Sequence, residues 1–238
     1  MQKAKWWVRF GNYLSTNIYT VLLGVMVFLN TMPILAPIFA GIGLNLPAKA
    51  IYSLYSLFCH QLHWRSMHVC DHQYGWCSRC TAIWFNVLLT GIFVRFFKIK
   101  EIKWYWILVL ILPMSLDGIV QTIATLAGFA STGEIYYMSN NLVRSLTGTL
   151  FGIGFGLWVW TTIADSLPAQ LLAKRKREMS LVKVTVYSIL ISIIFFIFAL
   201  LIWQTTSPNY QPVSFWDFAV KTPTLPQEFL LRAKNAVN

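Results

Sequence analysis

Acidic residues are scarce in this chain, which has 8 Asp and Glu against 19 Lys and Arg in 238 residues. Charged residues of both signs make up only 11% of the sequence, whereas 57% is hydrophobic and the mean hydropathy is +0.58. Soluble domains are typically about 45–50% apolar. The composition therefore excludes an ordinary soluble domain and predicts an integral membrane protein.

The sequence also lacks internal repeats, low-complexity segments and a signal-peptide cleavage site after its first apolar run. Its net charge of +11 is typical of a membrane protein whose basic loops face the cytoplasm and contact anionic lipid. We therefore predict membrane lipid as a partner and no nucleic acid.

Five apolar runs approach or exceed the roughly 20 residues that a membrane-spanning helix needs. They are Tyr19–Ile42, Cys80–Phe97, Trp104–Phe129, Leu142–Ile163 and Leu181–Trp203. The shorter amphipathic stretch Pro47–Phe58 is typical of an interfacial helix. The predicted fold is all-α: a polytopic membrane helix bundle with about five transmembrane helices plus an interfacial helix.

Basic residues alternate between the predicted loops, and residues 130–141 contain none. The positive-inside rule then places the N-terminus in the cytoplasm and the C-terminus outside a plasma membrane. The predicted organisation is a basic cytoplasmic leader (1–18), a transmembrane domain (19–203) with an extracytoplasmic Cys/His segment (44–79), and an extracytoplasmic tail (204–238).

Cysteine and histidine are absent outside the stretch from Cys59 to Cys80. Cys77 and Cys80 form a C-x-x-C pair, a spacing that lets two thiolates bind one metal ion or form one disulfide. Cys59 adds a third thiol, and His72, or else His63, is a fourth ligand from the loop. We predict a zinc site made of Cys59, Cys77, Cys80 and His72, with iron as the alternative metal.

The same thiols support a redox interpretation. Outside the cytoplasm, Cys59 with Cys70 and Cys77 with Cys80 are candidate disulfides, of which one is structural and one exchanges with a quinone or a partner protein. In either interpretation, a nearby arginine and a helix N-terminus lower thiol pKa values. His68, in contrast, is expected to be a solvated loop histidine.

Spans three and four contain polar residues that a bilayer disfavours. Asp117 and Gln121 lie one turn apart in span three, and Arg144 lies near the start of span four. A charge at this depth costs several kcal/mol unless it is paired or hydrated. We predict catalytic roles for Asp117, Gln121, Arg144 and Arg65, with Asp117 also a candidate metal ligand. The alternative is a structural pair of Asp117 and Arg144.

Small residues recur along span four. Gly148, Gly152 and Gly156 follow one another at intervals of four residues, a pattern that lets the backbone of a neighbouring helix approach closely. We predict helix packing at this ridge.

Two blocks of the sequence resemble a family of prokaryotic membrane proteins known as domain of unknown function 2085. The first block is Cys59-His60-Gln61, Arg65-Ser66, His72-Gln73 and Cys77-x-Arg79-Cys80-Thr81-x-Ile83, and the second is Asp117-Gly118-x-x-Gln121 with Arg144-x-x-Thr147-Gly148. The resemblance covers roughly residues 47–156. Thr81 replaces a glycine that is common in the family, and Cys70 lies outside the shared pattern, which weakens a model with two disulfides.

Topology and motifs together predict one pocket at the outer bilayer surface. Arg65, Arg79 and Arg144 are expected to bind an anionic headgroup or phosphate there, and His60, Gln61 and Arg79 are expected to bind a cofactor. The leading hypothesis is a metal site acting on an amphiphilic small molecule, with Asp117 as general base. The alternatives are a thiol-disulfide oxidoreductase coupled to quinone, and a non-enzymatic scaffold or lipid-binding subunit with an unknown protein partner.

Overall fold

The computed structural model describes residues 6–99, 102–131, 139–168, 172, 175, 177–209 and 212. Its helices are α1 (Trp6–Gly41), α2 (Asn45–Ser56), α3 (Ser78–Phe96), α4 (Trp104–Ser131), α5 (Asn141–Ser166) and α6 (Leu181–Thr206). Within the described residues, every one of these except α2 is long and apolar enough to cross a membrane. The predicted all-α membrane bundle is confirmed. Most of the predicted tail (204–238) lies outside the described residues.

The short helix α2 corresponds to the predicted interfacial helix. It buries Ala48 and Tyr55 against the bundle and exposes the apolar side chains of Leu46 and Leu54. A helix that presents apolar side chains outwards at the edge of a membrane bundle is suited to the headgroup boundary.

Short strands, which the sequence did not predict, join two pairs of loops. In the Cys/His segment, β1 (His68–Val69) pairs antiparallel with β2 (His72–Gln73). At the other end of the bundle, β3 (Phe97–Ile99) pairs in parallel with β4 (Arg177–Met179). The second pair connects the end of α3 to the start of α6.

Helix α1 begins at Trp6, earlier than the predicted span. Its two prolines leave backbone carbonyl groups free to accept hydrogen bonds from the Cys/His segment. Proline has no N–H, so Pro33 and Pro37 leave the carbonyls of Leu29 and Pro33 without their usual helical donors. The hydroxyl of Tyr55 donates to the Leu29 carbonyl over 2.9 Å, and the Gly75 N–H donates to the Pro33 carbonyl over 3.0 Å. The carbonyls released by the prolines thus fix two points of the segment to α1.

The predicted glycine ridge of α5 packs against α3. A Cβ atom added to Gly148 would lie 2.8 Å from the Arg79 carbonyl oxygen, and one added to Gly152 would lie 2.5 Å from the Ile83 carbonyl oxygen. The two backbones are in direct contact, which only glycine permits at these positions. This contact brings the first turn of α3 against Gly148 of α5.

A buried asparagine joins three helices. Asn86 of α3 donates to Thr149 of α5 over 3.4 Å and accepts a hydrogen bond from Ser192 of α6 over 3.1 Å. Asn86 is fully buried. In a lipid environment such inter-helix bonds stabilise association, so Asn86 fixes α5 and α6 around α3.

The contact between α3 and α5 is testable with a single methyl group. We expect Gly152→Ala to lower the stability of the protein by about 1–3 kcal/mol, because the added Cβ overlaps the α3 backbone. Thermal unfolding in detergent measures the effect. Gly24→Ala is the matched control, since a Cβ at Gly24 meets no atom within 4 Å. Equal midpoints for the two variants would contradict the contact.

Candidate functional site

Three of the four cysteines converge at the top of α3. The sulfur atoms of Cys59, Cys77 and Cys80 all lie within 4.8 Å of one another, and the Cys77 N–H donates to the Cys59 sulfur over 3.2 Å. All four cysteines of the chain are free thiols. Three thiolates that share a tetrahedral zinc ion with Zn–S bonds of about 2.3 Å lie roughly 3.8 Å apart. The triad therefore has the donor chemistry and spacing of a metal site.

The local fold explains how distant cysteines meet. Cys77 occupies the N-cap position of α3, and Cys80 lies in its first turn, so both residues lie at the helix N-terminus. Cys59 follows α2, where its N–H still bonds to the Tyr55 carbonyl over 3.0 Å. Cys59 is only 5% exposed, whereas Cys77 and Cys80 are half-buried.

The side chain of Gln61 holds the segment closed. Gln61 has a left-handed φ of 47°, which turns the chain back after α2. Its amide donates to the carbonyls of Tyr52 (2.9 Å) and Gly75 (3.0 Å), while Gln73 donates to the Gln61 carbonyl over 2.9 Å. Gln61, predicted to bind a cofactor, thus lies where it orders the loop that carries Cys59.

The thiols of Cys59 and Cys77 differ in acidity. Hydrogen bonds from the Cys59 and Cys80 thiols hold the pKa of Cys77 well below its usual value, and the same contact with Cys77 raises the pKa of Cys59. Of these two thiols, Cys77 is the stronger acid. A metal ion that bound all three sulfurs would displace the remaining protons.

Beside the triad, a polar network links α3, α4 and α5. Arg79 of α3 forms an ion pair with Asp117 of α4 and donates to the Ser139 hydroxyl over 3.3 Å. Arg144 of α5 donates to the Gln121 side chain over 2.6 Å and to the Ser139 carbonyl over 2.9 Å. Asp117 and Arg144 are buried. The simple pair of Asp117 and Arg144 considered from the sequence is thus replaced by a network in which Asp117 pairs with Arg79.

A third arginine faces the same region. Burial lowers the pKa of Arg65, and the positive charge of Arg79 adds to this effect, whereas Cys77 and Asp117 oppose it. The Arg65 carbonyl accepts a hydrogen bond from Ser78, at the start of α3, over 3.2 Å. Among the described residues, the buried Nε atoms of Arg65 and Arg79 have no hydrogen-bond acceptor. Both arginines therefore have donor capacity that the described part of the chain leaves unused.

The predicted histidines lie apart from the triad. His72 is exposed on β2, and His60 is exposed after α2. Neither histidine belongs to the cluster of possible metal ligands, whose ligand atoms all lie within 4.8 Å of one another. The structure thus brings together the three predicted thiol ligands but does not place His72 with them.

The expectation that His68 is a solvated loop residue is wrong. Its side chain is fully buried. Its ring lies 5.3 Å from the rings of His63 and Trp203, and its Nε2 atom is 3.1 Å from the Nδ1 atom of His63. Pairing of β1 with β2 turns His68 inwards, against the end of α6. No signal in the sequence identified this histidine pair.

Cys70 occupies the turn between β1 and β2. It has a left-handed φ of 53°, as does Asp71 with 61°, and its side chain lies against Gly41 at the end of α1. Asp71 accepts hydrogen bonds from the N–H and the side chain of Asn209, over 3.0 and 2.7 Å. Cys70 therefore belongs to a turn held between α1 and the end of α6, and the disulfide with Cys59 considered from the sequence is not formed.

Comparison with known proteins agrees with the predicted resemblance. The family model described as "Predicted membrane protein (DUF2085)" matches residues 59–158. The uncharacterised protein MJ1492 of Methanocaldococcus jannaschii is 34% identical over 143 residues, which cover 56% of this chain and 83% of that protein. The chain belongs to the DUF2085 family. No solved structure matches the chain.

The DUF2085 match begins at Cys59 and includes α3, α4 and most of α5. It therefore contains the thiol triad and the whole network of Arg79, Asp117, Gln121 and Arg144. The family description and the name of the relative state no activity.

The ion pair of Arg79 with Asp117 gives one prediction. Asp117→Asn should lower stability by about 3 kcal/mol, because it leaves the partly buried guanidinium of Arg79 without its counter-charge. Thermal unfolding in detergent is the measurement. The double variant Asp117→Asn with Arg79→Gln should recover part of the loss, and Asp165→Asn, an exposed carboxylate of α5, should have no effect. A double variant less stable than Asp117→Asn alone would contradict the pairing.

Acid should destabilise the protein through His68. Burial, assisted by the charge of His63, lowers the pKa of His68 from 6.5 to about 4. The unfolded chain therefore binds this proton near pH 6.5 and the folded protein only near pH 4. The contribution of His68 to the free energy of unfolding is therefore complete above pH 6.5. It falls by roughly 3 kcal/mol at most as the pH is lowered from 6.5 to about 4.

We expect His68→Phe to reduce the dependence of the unfolding midpoint on pH between 6.5 and 4, measured by thermal unfolding in detergent. His72→Asn, which alters an exposed histidine, is the control and should retain the wild-type dependence. A His68→Phe protein with the full wild-type dependence would show that this histidine is not the group responsible.

Proposed function

We propose that the protein is a membrane zinc protein in which Cys59, Cys77 and Cys80 bind the ion. The observation that carries this proposal is the mutual approach of the three sulfurs within 4.8 Å, from two separate elements of the chain. Thiolates are preferred ligands of zinc. Iron is the alternative metal.

The donor set supports an ion with one open position. Among the described residues, no histidine, aspartate or glutamate joins the three thiols within the same distance. Catalytic zinc sites usually have three protein ligands and a water molecule, whereas structural sites have four protein ligands. A zinc-bound water can act as a nucleophile near neutral pH. We therefore favour an ion that acts on a substrate, and the predicted fourth ligand His72 stays a prediction.

The charges around the triad support an anionic substrate group. Arg65, Arg79 and Arg144 bring three positive charges, Asp117 brings one negative charge, and three thiolates on a divalent ion carry one net negative charge. One positive charge remains in the described part of the site. An isolated charge at bilayer depth is costly, and guanidinium groups bind phosphate or carboxylate bidentately. We propose that these arginines bind the anionic head of an amphiphilic molecule.

The pairing of Asp117 favours a positioning role. The carboxylate of Asp117 is already engaged in its ion pair with Arg79. We propose that Asp117 orients Arg79, and that Gln121 and the Ser139 carbonyl orient Arg144 in the same way. The general-base role predicted from the sequence is therefore less favoured.

Orientation in the membrane is part of the proposal. The distribution of Lys and Arg in the sequence supports a cytoplasmic N-terminus. With five spanning helices, the N-terminus of α3 and the Cys/His segment would then face the outside of a plasma membrane. The site would meet substrates at the outer bilayer surface.

Thiol-disulfide exchange with a quinone is the second candidate function. It is favoured by the lowered pKa of Cys77, since a thiolate next to two further thiols is the arrangement of an exchanging cysteine. In this alternative the three thiols would hold no metal, and one pair of them would oxidise.

Metal content separates the two candidates. We expect the protein purified in detergent without chelators to contain about one zinc ion per chain, as a three-thiolate site would hold. Cys59→Ser should lose most of this zinc, and Cys70→Ser, which alters the cysteine outside the triad, should keep it. Elemental analysis by mass spectrometry is the measurement. Equal zinc in wild type and Cys59→Ser would contradict the zinc site.

A wild-type protein without metal, whose thiols react only after reductant is added, would support the redox candidate. Counting free thiols before and after denaturation, with and without reductant, distinguishes these states. Under the zinc proposal the triad thiols become reactive on denaturation alone.

A further inference from the structure

A cavity of about 1050 Å³ lies at the end of the bundle opposite the thiol triad. It is bordered by the strands β3 and β4, by the start of α4 and by the last turns of α5. Its volume is close to the upper limit of the range of about 300–1,000 Å³ that is usual for small-molecule sites. Because helices long enough to span a membrane begin and end here, the cavity lies at the level of lipid headgroups.

The cavity has an amphipathic lining. Ile102, Ile107 and Trp158 supply apolar surface, and the Trp158 side chain is 54% exposed, as is usual for an indole near the headgroup layer. Four charged residues also line the cavity, namely Lys98, Asp165, Arg175 and Glu178. A molecule that carries both charge and hydrocarbon matches such a lining better than a simple ion does.

Two of these charges have opposite signs and do not pair with each other. Arg175 is half-buried, and its Nε atom donates to the Phe97 carbonyl over 3.2 Å, which fixes the guanidinium beside β3. Asp165 lies exposed in the last turn of α5. Within the described part of the chain, Arg175 and Asp165 form no ion pair with each other. A ligand in the cavity therefore meets both a guanidinium and a carboxylate.

Two helix ends add to this separation of charge. Ile107 lies in the first turn of α4, at the positive end of the helix dipole, whereas Asp165 lies at the negative end of α5. A carboxylate near a helix C-terminus is unfavourable, so Asp165 does not stabilise α5. A cation bound beside Asp165 would offset both the carboxylate and the helix dipole.

The charges of the lining balance each other. Lys98 of β3 and Glu178 of β4 are partners in the register of the parallel strand pair, and both are exposed. Together with Arg175 and Asp165 they give two positive and two negative charges, and hence no net charge in the described lining. A purely anionic headgroup would meet uncompensated carboxylates, whereas a zwitterion complements both signs.

We propose that this cavity binds the head of a zwitterionic phospholipid with a primary ammonium group, as in phosphatidylethanolamine. Arg175, assisted by Lys98, binds the phosphate, and the Asp165 carboxylate accepts hydrogen bonds from the ammonium group. Ile107 and Trp158 contact the apolar part of the lipid. The site lies at the bilayer surface opposite the thiol triad, and it does not depend on the function proposed for the triad.

Native mass spectrometry of the full chain in detergent tests the proposal. Phosphatidylethanolamine, phosphatidylcholine and phosphatidylglycerol with the same acyl chains are titrated in turn, and the fraction of lipid-bound protein gives each affinity. Asp165→Asn and Arg175→Gln each remove one of the two opposite charges. Arg177→Gln is the matched control, because Arg177 is exposed on β4 and does not line the cavity.

We expect wild type and Arg177→Gln to bind phosphatidylethanolamine several-fold more tightly than the other two lipids. Asp165→Asn should bind phosphatidylethanolamine several-fold more weakly than wild type and phosphatidylglycerol more tightly, because an opposing negative charge is removed. Arg175→Gln should weaken the binding of both lipids. Asp165 is exposed, so its variant should fold even if Arg175→Gln, which loses the bond to Phe97, does not.

Equal affinity of wild type for the three lipids, a preference for phosphatidylcholine or phosphatidylglycerol, or unchanged affinities in Asp165→Asn would each overturn the proposal. Glycerophosphoethanolamine, which is the same head without acyl chains, distinguishes a lipid from a soluble zwitterion. We expect it to compete several-fold more weakly than phosphatidylethanolamine. Competition of equal strength would show that the cavity does not select a lipid.

Discussion

The contact between the backbones of α3 and α5 is the constraint on which the rest of this structure depends. Glycines 148, 152 and 156 give α5 a face without side chains, and α3 packs directly against it. The first turn of α3, which carries Arg79, therefore lies against Gly148, one turn further along α5 than Arg144. Larger residues on that face would separate the helices and remove the site, whatever the identity of its chemical groups.

Charged and polar groups in a bilayer are retained only where they are satisfied. Here Arg79 pairs with Asp117, and Arg144 bonds to Gln121 and Ser139, so the network joins three helices as it neutralises part of its own charge. Part of the positive charge and some guanidinium donors are left over next to three thiols. That combination of three converging thiols and excess positive charge is the physical basis for proposing an anionic amphiphile as substrate.

The sequence was sufficient for whatever depends on composition and regular spacing. Apolar runs predicted the five spans, the glycine interval predicted the close helix contact, and ligand chemistry brought Cys59 into one group with the C-x-x-C pair. It failed where the outcome depends on how elements turn towards each other. The burial of His68 follows from a two-residue strand pairing that short polar sequences do not reveal, and the choice of Arg79 as partner of Asp117 follows from the rotation of α3 about its axis.

X-ray absorption at the zinc edge tests the central claim most directly, because it counts the atoms that bind the ion in the intact protein. Three sulfur atoms at about 2.3 Å together with one oxygen or nitrogen atom are the predicted coordination. The additional light atom should change its signal when an anionic lipid is added. A spectrum with fewer than three sulfur ligands, or a purified protein that binds no metal at all, would contradict the account.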